Sequence, residues 1–96
     1  MQNLKELTKL NLDNFITSNV KSMTNMFLFC DELKEISMQN FDTSKVTDMS
    51  NMFRYAGYYS SLKVDPNVSG WNVNSVTIFS NFNTNATWIT PPTWVN

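Results

Sequence analysis

One pattern constrains this chain more than any other: the sequence repeats itself at a spacing of 26 residues. Residues 15–27 read Phe-Ile-Thr-Ser-Asn-Val-Lys-Ser-Met-Thr-Asn-Met-Phe, and residues 41–53 read Phe-Asp-Thr-Ser-Lys-Val-Thr-Asp-Met-Ser-Asn-Met-Phe. Eight of these thirteen positions are identical. Leu4 to Asn14 aligns with Cys30 to Asn40 at the same offset, through Glu6/Glu32, Leu7/Leu33, Leu10/Ile36, Leu12/Met38 and Asn14/Asn40. A weaker third copy, Trp-Asn-Val-Asn-Ser-Val-Thr-Ile-Phe-Ser-Asn-Phe-Asn, occupies residues 71–83 at a displacement of 30. Recurrence at fixed spacing is the mark of stacked units that bury one another's apolar faces, and 26 lies within the leucine-rich-repeat range.

Two local patterns divide each unit. Leu10-Asn-Leu12 and Ile36-Ser-Met38 alternate apolar and polar residues, as a short strand with one inward face does. In Val20-x-x-Met23-x-x-Met26-Phe27 and Val46-x-x-Met49-x-x-Met52-Phe53 the apolar spacing predicts a helix of about two turns. Thr17-Ser18 and Thr43-Ser44 precede it as caps, and Asp48 suits the positive end of its dipole. The expected fold is therefore an α/β repeat: a leucine-rich-repeat-like solenoid of about three coils, each a short strand plus a short helix, with a parallel strand layer. Asn, Ser and Thr make up 34 of 96 residues against two Gly. That bias fits caps and corners repeated in every coil rather than a disordered tract.

The coils are expected at about 4–29, 30–53 and 54–83, so that residues 1–83 form the solenoid and 84–96 an irregular C-terminal cap. The third coil carries four extra residues within Arg54-Tyr-Ala-Gly-Tyr-Tyr-Ser-Ser, and its strand falls at Leu62-Lys-Val64 or nearer Val68. All fifteen charged residues precede residue 66, whereas all three Trp and all three Pro follow residue 65. Thr90-Pro-Pro-Thr cannot continue a helix. The chain starts partway through a repeat, so an uncapped N-terminal edge and self-association there are expected.

The 41–53 motif is similar to the bacterial surface-protein 26-residue repeat of the BspA-type leucine-rich-repeat proteins, a group that includes lipoproteins. Val68-Ser-Gly-Trp-Asn-Val-Asn-Ser-Val also resembles the Trp-bearing form of that repeat, while Ile78, Phe79 and Phe82 depart from it. The resemblance implies a stacked solenoid at a cell surface or secreted, associated with adhesion and host-protein binding and carrying no catalytic motif.

The composition excludes several chemistries. Without His there is no imidazole base or ligand, and a single Cys closes no internal disulfide. A net charge of −1 gives no electrostatic footprint for nucleic acid. No basic-then-apolar leader and no apolar run of membrane-spanning length is present, so no membrane insertion by this segment is expected. The expectation is a non-enzymatic binding or adhesion module, without cofactor, metal or catalytic residues, contacting a protein or other surface macromolecule. The alternative is a structural spacer or self-associating segment.

Two groups of residues are candidates for partner contact: Asn11, Asp13, Ser37 and Gln39 on the strand face, and Tyr55, Tyr58 and Tyr59 on the insertion. Insertions in repeat proteins emerge on one face, and Tyr with Ser and Gly gives rigid amphipathic contact area. Tyr55 or Tyr58 also suits filling the space that Phe29 and Cys30 occupy one coil earlier. The Met and Phe stripe reads as core. Asn25, Asn51 and Asn81 read as side-chain amides satisfying backbone groups at corners, and Cys30 as a small buried hydrophobe. Trp88 and Trp94 read as capping residues ahead of a sugar or peptide platform. Asp31, Glu32 and Glu35 lack the pattern of a calcium loop, and the Asn67 and Asn85 sequons carry little weight in so Asn-rich a chain.

Overall fold

The 26-residue spacing becomes a hydrogen-bond register. A computed structural model describes residues 8–60 and 63–94, and in it two strands, β1 (Lys9–Asn11) and β2 (Glu35–Ser37), pair in parallel with Leu10 opposite Ile36. Leu10, Leu12, Ile36 and Met38 turn into the core from this sheet. Leu4, Glu6 and Leu7 of the aligned first unit lie outside the described residues, as does Leu62 of the expected third strand.

The segments expected to be helical are not helices. Alternate amides in 23–29 leave the chain altogether: Met23, Asn25, Phe27 and Phe29 donate to the carbonyls of Asp48, Ser50, Met52 and Arg54 at 2.8–3.1 Å. Met49, Asn51, Phe53 and Tyr55 donate in the same way to Ile78, Ser80, Phe82 and Thr84 at 2.7–2.9 Å. The amides between them close tight turns, with Met52 donating to Met49, Arg54 to Asn51 and Ala56 to Phe53. Successive turns set apolar side chains three and four residues apart on one side, which imitates the helical period. What separates the two is φ: Asn25, Phe29, Asn51, Tyr55, Asn81 and Asn85 all lie at +57 to +61°, which no right-handed helix admits.

The expected caps change role accordingly. Thr17 Oγ1 donates to the Asp42 carbonyl at 3.3 Å and accepts from the Asp42 amide at 2.8 Å, and Thr43 Oγ1 donates to the Asn72 carbonyl at 2.8 Å. These buried threonines clamp one repeat to the next. Asp48 accepts from the amide and hydroxyl of Ser50, two residues on, and faces no helix dipole.

The leucine-rich-repeat-like α/β solenoid is therefore not the fold. Among the described residues there is no α-helix, only a 3₁₀ turn at Val68–Gly70, and the sheet holds two strands. The result is a compact body 33 × 27 × 20 Å in extent. Its core is the Met and Phe stripe with its neighbours. Phe53 stacks on Phe27 at 5.2 Å and meets the edge of Phe82 at 5.3 Å, and Met49, Met52, Val46 and Cys30 are wholly buried around them. At the far end Ile89 is buried, and Trp94 lies 4.4 Å from Phe79.

Candidate functional site

The strand-face candidates come together, and they bond chiefly to one another. Ser37 Oγ donates to both carboxylate oxygens of Asp13 at 2.7 Å, and the Gln39 amide donates to Asp13 Oδ1 at 3.1 Å. The Asp13 amide in turn donates to Asn11 Oδ1 at 2.9 Å. Asp13 thus holds the corner of one repeat to the next, while Asn11 and Gln39 remain exposed beside it.

The tyrosines form a separate feature. Tyr55 stands 26 residues after Phe29 and packs on it at 5.4 Å, as the space-filling reading anticipates. Tyr58 meets Tyr55 edge-on at 5.1 Å and Tyr59 meets Tyr58 at 5.0 Å, so four rings run as a ridge. Arg54 lies over the Tyr55 ring at 5.9 Å. Tyr58 and Tyr59 are 48% and 69% exposed. The backbone beneath them is fixed: the Gly57 amide bonds Cys30 O at 2.8 Å, the Tyr59 amide bonds Asp31 O at 2.9 Å, and Trp88 Nε1 donates to Ala56 O at 2.9 Å. Gly57 has φ +66°, and a Cβ there would lie 2.5 Å from Leu33 O, so this close crossing requires glycine. A smaller hollow of about 360 Å³ lies between Tyr58 and Trp88, with Lys63 at its rim.

A third feature escaped the sequence reading. An open groove of about 830 Å³ runs along the outer edge of β2, and Ser37 and Gln39 are among its lining residues. Trp71 and Phe41, stacked at 6.0 Å, line it together with Glu35, Asp42 and Asp65. Asp42 sits below the usual aspartate range, first because the Ser44 hydroxyl bonds its carboxylate and then because the Ser44 amide does. The available signal was Asp65-Pro66 directly after the insertion, where a third strand has to end. Among the described residues no group of three or more Cys, Asp or Glu side chains is placed to hold a metal ion, and no helix is long and apolar enough to cross a membrane.

Comparison with protein families matches residues 1–93 to a family described as "Mycoplasma protein of unknown function, DUF285". The chain belongs to the DUF285 family. This corrects the resemblance to the BspA-type surface-protein repeats, since no BspA or leucine-rich-repeat family matches the DUF285 chain. The cell-surface location implied by that resemblance loses its support with it. No curated protein and no solved structure matches.

Proposed function

We propose that this protein is a non-enzymatic binding module that contacts a protein or other surface macromolecule through the ridge of Tyr55, Tyr58 and Tyr59. One observation carries the reading: Tyr58 and Tyr59 are exposed, yet the backbone that bears them is tied to Cys30 and Asp31 of the preceding repeat. Exposed aromatic rings on fixed backbone give up little entropy on binding, which is why such rings anchor interfaces. Asn11 and Gln39 offer polar contact on a second face.

The test is binding of the purified protein to a panel of immobilised matrix proteins, with the Tyr58→Ser/Tyr59→Ser double variant in parallel. Saturable binding that weakens at least tenfold in the variant, with an unchanged melting temperature, supports the reading. Binding that ignores the double substitution overturns it, and so does no binding to any member. Self-association is the second reading, because among the described residues no strand covers the outer edge of β1. A mass that rises with concentration in sedimentation equilibrium would favour it.

A further inference from the structure

The groove beside β2 exists because a third strand is started and then abandoned. The Val64 amide donates to Lys34 O at 2.8 Å, which is the first rung of a strand on the outer edge of β2. The next residues prevent a second rung. Pro66 has no amide hydrogen to donate. Asp65 turns its carboxylate to the amides of Asn67 at 2.9 Å and Thr90 at 3.2 Å. Asn67 then enters the left-handed region at φ 62°, and Val68–Gly70 coils into a 3₁₀ turn. The chain regains the repeat register only near Asn72, whose carbonyl is held by Thr43.

The strand left behind keeps an unsatisfied edge. Glu35 and Ser37 direct their backbone groups to β1, since the Glu35 amide bonds Thr8 O and Ser37 O accepts from Leu12. Parallel pairing alternates, so the amide and carbonyl of Ile36 point the other way, into the groove. Among the described residues no hydrogen bond reaches them. The Ile36 side chain is held in the core while its amide and carbonyl face the open groove, where an added strand can pair with them. The charged residues that line the groove, Glu35, Asp42 and Asp65, have one sign, and the nearby Lys34 and Lys45 stand outside its lining.

We propose that this groove docks an extended peptide segment bearing lysine or arginine, which adds to the outer edge of β2 as the missing third strand. Ile36 supplies the backbone hydrogen bonds, the three carboxylates select basic side chains, and the part of the Trp71 ring that Phe41 leaves uncovered takes their aliphatic stems or an intervening apolar residue. The site is separate from the tyrosine ridge and does not depend on it.

The experiment is an amide NMR titration of the full chain with a capped hexapeptide alternating lysine and valine. The expected result is saturable shifts centred on Ile36, Ser37 and the Trp71 indole, weakening several-fold as salt rises from about 50 to 300 mM. Glu35→Gln is expected to weaken binding at least threefold, and Asp42→Asn provides a second variant should the first disturb β2. Tyr58→Ser/Tyr59→Ser is expected to leave it unchanged, which separates this site from the proposed ridge contact. Equal binding of a glutamate-for-lysine peptide or of a backbone N-methylated peptide overturns the proposal. So do shifts centred on Tyr58 and Tyr59, stronger perturbation by a neutral hexasaccharide, or no response at millimolar peptide.

Discussion

At the scale of single residues, the recurring asparagines are the decisive element, and backbone conformation is what they share. Asn25, Asn51 and Asn81 each take the left-handed position that lets one turn lead to the next. Asn is, after Gly, the residue that enters this region at least cost. The side-chain oxygens of Asn25 and Asn51 are buried without a hydrogen-bond partner, so these oxygens satisfy no backbone donor at the corner. Substitution should separate the two explanations. Asn51→Ala is expected to destabilise the protein by about 1 kcal/mol through the αL penalty, whereas Asn51→Gly should be neutral or slightly stabilising. Urea denaturation of both variants decides it: if Gly costs as much as Ala, the side-chain amide contributes after all.

At the scale of elements, short polar turns carry the connections that helices were expected to make. The Asp42 turn is the most informative, because its hydrogen bonds favour the charged carboxylate. A lowered folded-state pKa stabilises the fold at pH above the unfolded value, and that contribution is lost as pH falls through the folded one. The expected outcome is a carboxyl titration for Asp42 below the ordinary aspartate range that moves upward in Ser44→Ala, read by carbon-detected NMR. An unchanged titration in that variant would remove the Ser44 hydroxyl as the leading cause. The same turns explain what could be read from the chain beforehand. The pairing of Leu10 with Ile36 and the burial of Met49, Met52 and Phe53 follow from spacing alone, because register and burial obey the repeat in any backbone. The helix did not follow, since consecutive turns and a helix share an apolar period and differ in the sign of φ at Asn25 and Phe29. The tyrosine insertion was legible as an irregularity in the period. The groove was not, because it depends on where Asp65 and Pro66 send the backbone after Val64.

At the scale of the whole molecule, the chain after Asn83 folds back over the apolar side chains of the 71–83 repeat. Trp94 supplies part of this cover, lying 4.4 Å from Phe79 and meeting Phe82 edge-on at 5.0 Å, while Asn83 Nδ2 donates to Ile89 O at 2.8 Å to hold the returning segment. Trp94→Ala removes a large, half-buried ring from this cover. The loss is expected to be about 2 kcal/mol, less than the 3–5 kcal/mol typical of fully buried aromatic truncations. For a chain of this size that corresponds to a fall in melting temperature of roughly 8–16 °C. A gain in binding of an apolar fluorescent dye should accompany it as Phe79 and Phe82 become accessible. Trp94→Phe keeps a stacking ring and should recover most of the loss, because no hydrogen bond of the Trp94 indole joins it to the described residues. Trp88→Phe should cost more than Trp94→Phe, since it leaves the Ala56 carbonyl without the 2.9 Å bond from Nε1. Equal melting temperatures for Trp94→Ala and the unsubstituted protein would show that the last repeat is stable uncovered, and that the packing of Phe82 on Phe53 suffices to hold it.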